Sequence, residues 1–136
     1  MATAGCSGTP LAKKLSLRDG LRVWFSNMPE SVADEIDEYA LSLEFVANPA
    51  QGIDAAHIFV TSRTDMASKL AALRQQTAKD GQVWVSWPKK AAKVPTDITE
   101  DTIRDVALPM GFVDTKVCAV DEVWSGLKLV IHKELR

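Results

Sequence analysis

Hydrophobic and polar positions along this chain switch between two periods, and the switches mark out its elements. The run Leu21-Arg22-Val23-Trp24-Phe25-Ser26, bounded by Asp19-Gly20 and by Asn27-Met28-Pro29, is β-branched and aromatic enough to predict a first strand. A helix is expected next, with Ser31 as cap, Asp34 three positions on, and Val32, Ile36 and Tyr39 or Ala40 recurring on one face. Its other face carries Glu30, Asp34, Glu35, Asp37 and Glu38, for which a solvated acidic face is the plainer reading than a metal site. Leu43 to Ala47 reads as a short second strand ended by Asn48-Pro49. Asp54 to Thr61 reads as a third, apolar on both faces as in the centre of a parallel sheet. Thr64 should cap an amphipathic helix with Met66, Leu70, Leu73 and Thr77 inward, stopped by Asp80-Gly81. Gln82 to Trp87 follows as a fourth strand ended by Pro88. The best helix start has Thr99 as cap, Glu100 and Asp101 in the first turn, and Ile98 and Ile103 at staple positions. Phe112 to Val120 and Leu127 to His132 both alternate with no helix between them, so they must form an antiparallel hairpin.

This order predicts an α/β protein: a three-layer, mainly parallel, Rossmann-like sheet with a C-terminal antiparallel hairpin. In architecture it resembles a reduced class I methyltransferase sheet over roughly residues 20 to 136. With 136 residues the expectation is one domain, residues 21–136, preceded by an arm, residues 1–20. The arm is rich in Gly, Ser, Thr and Ala, and Pro10 to Leu17 within it fits a turn or two of helix.

Composition removes several functions. Hydrophobic residues at 46% and charged ones at 25% are those of a globular domain. Sixteen Lys and Arg against eighteen Asp and Glu give a net charge of -2, opposite to the basic balance that duplex binding needs, so no nucleic-acid partner is expected. The apolar runs are far shorter than the roughly 20 residues of a membrane span, and the N-terminus lacks the apolar core of a secretory signal, which points to the cytoplasm. Cys6 and Cys118, 112 positions apart, read as free thiols.

In an open parallel sheet, ligands bind beyond the carboxyl ends of the strands near the point where strand order reverses. That selects Asn27 and Met28, Asn48, then Thr61, Ser62 and Arg63, and finally Ser86, Trp87, Lys89 and Lys90. A dinucleotide or adenosylmethionine site of the usual kind needs a glycine-rich turn after the first strand and an acid ending the second. Here the turn reads Ser26-Asn27-Met28-Pro29-Glu30 and the second strand ends in Ala47-Asn48, so no cofactor is expected. Neither a Walker motif nor a GxSxG elbow occurs, and His57 and His132, 75 positions apart inside strand patterns, offer neither a metal site nor an evident base. What remains is the segment Trp84 to Asp101. Lys89, Lys90 and Lys93 could join the amides at the helix start near Thr99 to hold a phosphate or carboxylate, with Trp87 stacking on a ring. The competing reading is a solvated loop whose lysines pair with Asp97, Glu100 and Asp101. Trp124, in the hairpin connection, either tucks over the sheet edge or contacts another chain, and the mixed face of Phe112, Asp114, Lys116, Cys118 and Val120 fits a homodimer edge as well as a wet one.

Three stretches, Ser7 to Leu15, WVSWPKK with KVPTDITED, and KVCAVDEVWSGLKLVIHKELR, resemble a bacterial small-protein family of unknown function. That resemblance implies a bacterial cytosolic protein and adds no activity. Its signature falls on the arm and loops, which makes Ser7, Thr9, Lys13, Lys14 and Trp124 a candidate interaction surface. The expectation is a non-catalytic module binding a small anionic ligand or a protein partner, with the balance against an enzyme. The alternative is an enzyme acting on a phosphorylated or nucleotide-like substrate, with Lys89 or Lys90 neutralising charge and Asp97 or Asp121 as acid or base.

Overall fold

The computed structural model describes residues 8–136. A short helix α1 (Leu11–Lys14) precedes strand β1 (Arg22–Ser26), helix α2 (Glu30–Asp37) and strand β2 (Glu44–Phe45). Then come β3 (Ile53–Phe59), α3 (Arg63–Gln76), β4 (Thr77–Pro88), α4 (Glu100–Ala107), β5 (Phe112–Ala119) and β6 (Trp124–Ile131). The strands form one six-stranded sheet in the order β2-β1-β3-β4-β6-β5. The first four are parallel to their neighbours, whereas β6 runs antiparallel to both β4 and β5. The expected α/β class, the parallel interior and the antiparallel closing hairpin are all present. Order reverses at β1, which has β2 on one side and β3 on the other.

Alternation along the central strands divides the interior in two. Ile58, Val60, Val83, Val85 and Trp87 face α3 and α4 and join Met66, Leu70, Leu73, Ile98 and Ile103 in one apolar cluster. Ala55, Phe59 and Trp84 face the other way and meet Leu11, Ala12, Leu15 and Leu17 of the N-terminal segment with Val32 and Ile36 of α2. Residues 11–17 are therefore packed against the sheet.

Helix starts differ from the sequence reading by two residues. The chain enters α2 from Pro29, whose φ of -60° already suits a helix start, so Ser31 is inside the helix. Ser62, two residues before Thr64, caps α3 by accepting from the Asp65 amide at 3.2 Å. Thr99 caps α4 as expected, in a reciprocal arrangement with Thr102, and Ile98 and Ile103 are both buried. β2 keeps only two residues because the chain turns at Asn48 into a single 3-10 turn, Pro49–Gln51. His132 lies just past β6, where its Nδ1 accepts from the Glu134 amide.

Candidate functional site at the carboxyl rim

The carboxyl ends of the parallel strands present the turn after β1, the residues after β3, the loop after β4 and the hairpin connection. After β1 the chain must reverse tightly into α2, and Asn27 does so at φ 58°, in the left-handed region that glycine normally fills and that asparagine tolerates best among the others. Asn27 is exposed beside half-buried Ser26 and Met28.

Beyond β3 the rim is closed by the protein's own loop. The Thr96 hydroxyl donates to the Thr61 carbonyl at 2.7 Å and accepts from the Ile98 amide, while the Arg63 amide donates to the Asp97 carboxylate at 2.7 Å. Buried Ile98 then pins the loop into the apolar cluster. The long loop after β4 is thus latched across the end of β3 by Thr96 and Asp97.

This geometry separates the residues that the sequence grouped as an anion site. Asn27, Arg63, Lys89, Lys90 and Thr99 do lie at the carboxyl side of the sheet. Trp87, however, is buried in the helix-facing cluster, where its indole cannot stack on a ligand. Ser86 is fully buried on the opposite face, its hydroxyl 2.6 Å from Nε2 of His57. The Thr99 hydroxyl is engaged with Thr102, and Arg104 gathers Glu100, Asp101 and Asp114 around the same helix, an acidic neighbourhood unfavourable to an anion. The lysines do not pair with Asp97, Glu100 or Asp101 either: no ion pair holds Lys89, Lys90 or Lys93 among the described residues. Asp121 accepts from the Val123 and Trp124 amides at 2.8 and 2.7 Å, a turn-forming use of its carboxylate, as Asp97 is used in the loop latch.

On the arm side, Thr9 is half-buried, Lys13 is exposed, and Lys14 turns inward to donate to the Ala119 carbonyl at 2.8 Å. Ser7 and Cys6 lie outside the described residues. Trp124 packs edge-on against Phe59 with ring centroids 5.2 Å apart, so the indole tucks over the sheet.

The pair His57 and Ser86 was not foreseen as a pair. Residue alternation on the two adjacent parallel strands was the signal: with Phe59 opposite Ser86 in the register, His57 falls two positions back on the same face. The ring stacks on Phe59 at 4.5 Å between centroids, and burial lowers its pKa to about 3, so it is neutral at ordinary pH. Among the described residues no group of three or more His, Cys, Asp or Glu is placed to hold a metal ion. None of their helices is long and apolar enough to cross a membrane.

No family model and no curated protein matches the sequence. Solved structures do. An adenosylmethionine (SAM)-dependent methyltransferase from Aquifex aeolicus superposes with a TM-score of 0.62 at 12% identity, covering 89% of this chain and 87% of that one. The architecture is methyltransferase-like. Magnesium protoporphyrin IX methyltransferase from Synechocystis PCC 6803, solved with bound SAM, gives a TM-score of 0.56 at 13% identity, covering 89% and 74%. PigF, solved with SAH, gives 0.59 at 9% identity, covering 90% and 61%. These likenesses correct the expectation of a non-catalytic module and the balance against an enzyme. Two of these three are methyltransferases by name and the third was solved with SAH, on the frame that the sequence predicted.

The turn after β1 fits an adenosylmethionine-type group in backbone path, because Asn27 takes the left-handed conformation that glycine would supply and its side chain is exposed at the rim. The sugar end has less to hold it. The Asn48 side chain accepts from the Ala50 amide at 2.9 Å, and Glu44, the acid of β2, lies 3.3 Å from Arg22.

Proposed function

We propose that this chain is an enzyme of the adenosylmethionine-dependent methyltransferase type, acting at the carboxyl rim of β1 and β3. The observation that carries this reading is the left-handed Asn27 turn at the switch point of a methyltransferase-ordered sheet. Ser26, Asn27 and Met28 would hold the cofactor, and the exposed ring of Phe45 on β2, 61% accessible, offers a face for its base. Glu30, in the first turn of α2, puts a negative charge at the same end of β1, opposite in sign to a sulfonium. When bound, such a group supplies an activated methyl. The chain's own part is to position it by backbone and stacking, without a carboxylate on the ribose, which makes the hold weak. The signature segments imply a bacterial, cytoplasmic setting for this activity.

Thermal unfolding with added adenosylmethionine or adenosylhomocysteine tests the proposal. At ten times Kd a ligand of the folded state adds about 1.4 kcal/mol, a rise of roughly 5 °C for a chain of this size. Asn27→Val, which crowds a left-handed position, should abolish the rise, while Asn27→Gly should keep it. No rise with either compound at millimolar concentration would reject the reading, and transfer of labelled methyl from bound cofactor to an acceptor would complete it.

A further inference from the structure

The face of the sheet covered by the N-terminal segment gathers cations that the methyltransferase reading does not use. Lys116 and Lys128 stand directly opposite each other on β5 and β6, an arrangement of like charges that costs stability unless something offsets it. Both reach over the segment that follows α1: Lys116 Nζ donates to the Lys14 carbonyl at 2.9 Å, and Lys128 Nζ donates to the Ser16 hydroxyl at 3.2 Å. Their ammonium groups are thereby anchored two residues apart along the same stretch of backbone. Ser16 itself sits at φ 59°, a conformation unfavourable for serine that turns the chain here.

Arg18 completes the group. It is exposed, its guanidinium makes no hydrogen bond or ion pair among the described residues, and it lies close enough to act on Lys128. Burial, then Lys116, then Arg18 lower the pKa of Lys128, and no carboxylate contributes in the opposite direction. Asp54 and Asp80 share a small pocket with Arg18, yet neither forms an ion pair with it, and the Asp54 carboxylate accepts from the Arg22 amide. Each ammonium has three donors and spends one on the protein. A chain with net charge -2 thus keeps Lys116 and Lys128 side by side, with Arg18 near, and none of the three is in an ion pair among the described residues.

We propose that Arg18, Lys116 and Lys128 form a binding site for a phosphate-bearing small molecule, with the two ammonium groups and the guanidinium shared between neighbouring phosphate groups. Guanidinium and ammonium together suit a di- or triphosphate better than a single small anion, since two anchored point charges and one planar fork span more than one phosphate. The site lies on the arm-covered face, apart from the Asn27 rim, and stands whether or not a methyl group is transferred there.

Titration calorimetry on the full chain, with inorganic phosphate, tripolyphosphate and ATP as probes at matched ionic strength, tests this site. Tripolyphosphate should bind at least tenfold tighter than inorganic phosphate. Comparable binding of ATP would place a nucleotide among its sources, whereas binding of tripolyphosphate alone would assign a bare polyphosphate. Arg18→Gln, which removes an exposed side chain with no partner, should leave the free protein folded and weaken tripolyphosphate binding at least fivefold. Lys116→Gln should weaken it similarly. Unchanged binding in Arg18→Gln, no preference over matched chloride, or affinity only for long nucleic acids would overturn the proposal.

Discussion

The two faces of the sheet are built by different rules. The face under α3 and α4 is almost wholly apolar: Ile58, Val60, Val83 and Val85 meet Met66, Leu70, Leu73 and Ile103, and Thr77, beside Ile53 at the start of β4, is the buried polar residue at its margin. The face under the N-terminal segment holds buried Lys14, His57, Gln82 and Ser86, and its covering segment is tied down by hydrogen bonds as much as by Leu11, Leu15 and Leu17. Apolar contact is strong and tolerant of small shifts, whereas hydrogen bonds fix one geometry. The first face supplies stability, and the second sets how the segment sits. Substitutions on the two faces should therefore fail differently.

The largest effect is expected on the helix face. Leu70 is fully buried in the middle of α3, so Leu70→Ala should cost about 2 to 5 kcal/mol in chemical unfolding. The arm face should follow the loss without a separate transition if the domain unfolds as one unit.

A smaller effect, and one specific to the arm face, comes from pH. The folded protein holds His57 neutral, with its pKa lowered by burial to about 3, while the unfolded chain titrates near the ordinary value of about 6.5. Between these values the unfolded state binds the extra proton. The stabilising contribution is therefore complete above about pH 6.5 and is lost as pH falls towards about 3, at a slope of up to about 1.4 kcal/mol per pH unit. Unfolding curves of the parent and of His57→Gln, taken from pH 7 to pH 4, should differ in slope by that component. Parallel curves would mean that the ring is hydrated in the native state.

The contrast between the faces also accounts for what could be read from the sequence. Periodicity found each strand and the three longer helices, because burial of Val23, Ile58, Leu70 or Ile103 leaves an alternating or helical trace, but it ran α3 on to Asp80-Gly81, where the chain has already entered β4 at Thr77. Thr99 and the closing hairpin were legible for the same reason, each being a local pattern. The rim was harder. Trp87 stands beside three lysines in sequence, but strand alternation sends its indole into the helix face and the loop away from it. Lys14 looked like a surface residue of a basic segment, yet only the position of β5 reveals that its ammonium reaches the Ala119 carbonyl, 105 residues on. The sheet order that brings such partners together is a long-range property with no local signature. The left-handed turn after β1 had no glycine to announce it, since Asn27 takes that conformation instead.

The smallest effect probes the hydrogen bonds that seat the segment. The Leu15 carbonyl accepts from Gln82 Nε2 at 2.8 Å and from Trp84 Nε1 at 3.0 Å, both buried. A carbonyl has two acceptor positions, so removing either donor leaves it satisfied by the other. Gln82→Leu should therefore cost no more than about 1 kcal/mol. Trp84→Phe costs more because it also gives up packing, but the double variant leaves the carbonyl buried without a partner. The added penalty, about 1 to 3 kcal/mol beyond the sum of the singles, is isolated by a double-mutant cycle. Faster hydrogen exchange at the Leu15 and Leu17 amides, with exchange in α3 unchanged, would locate that loss on the arm face. Strict additivity would mean that water replaces the missing donors, and that apolar contact alone holds the segment down.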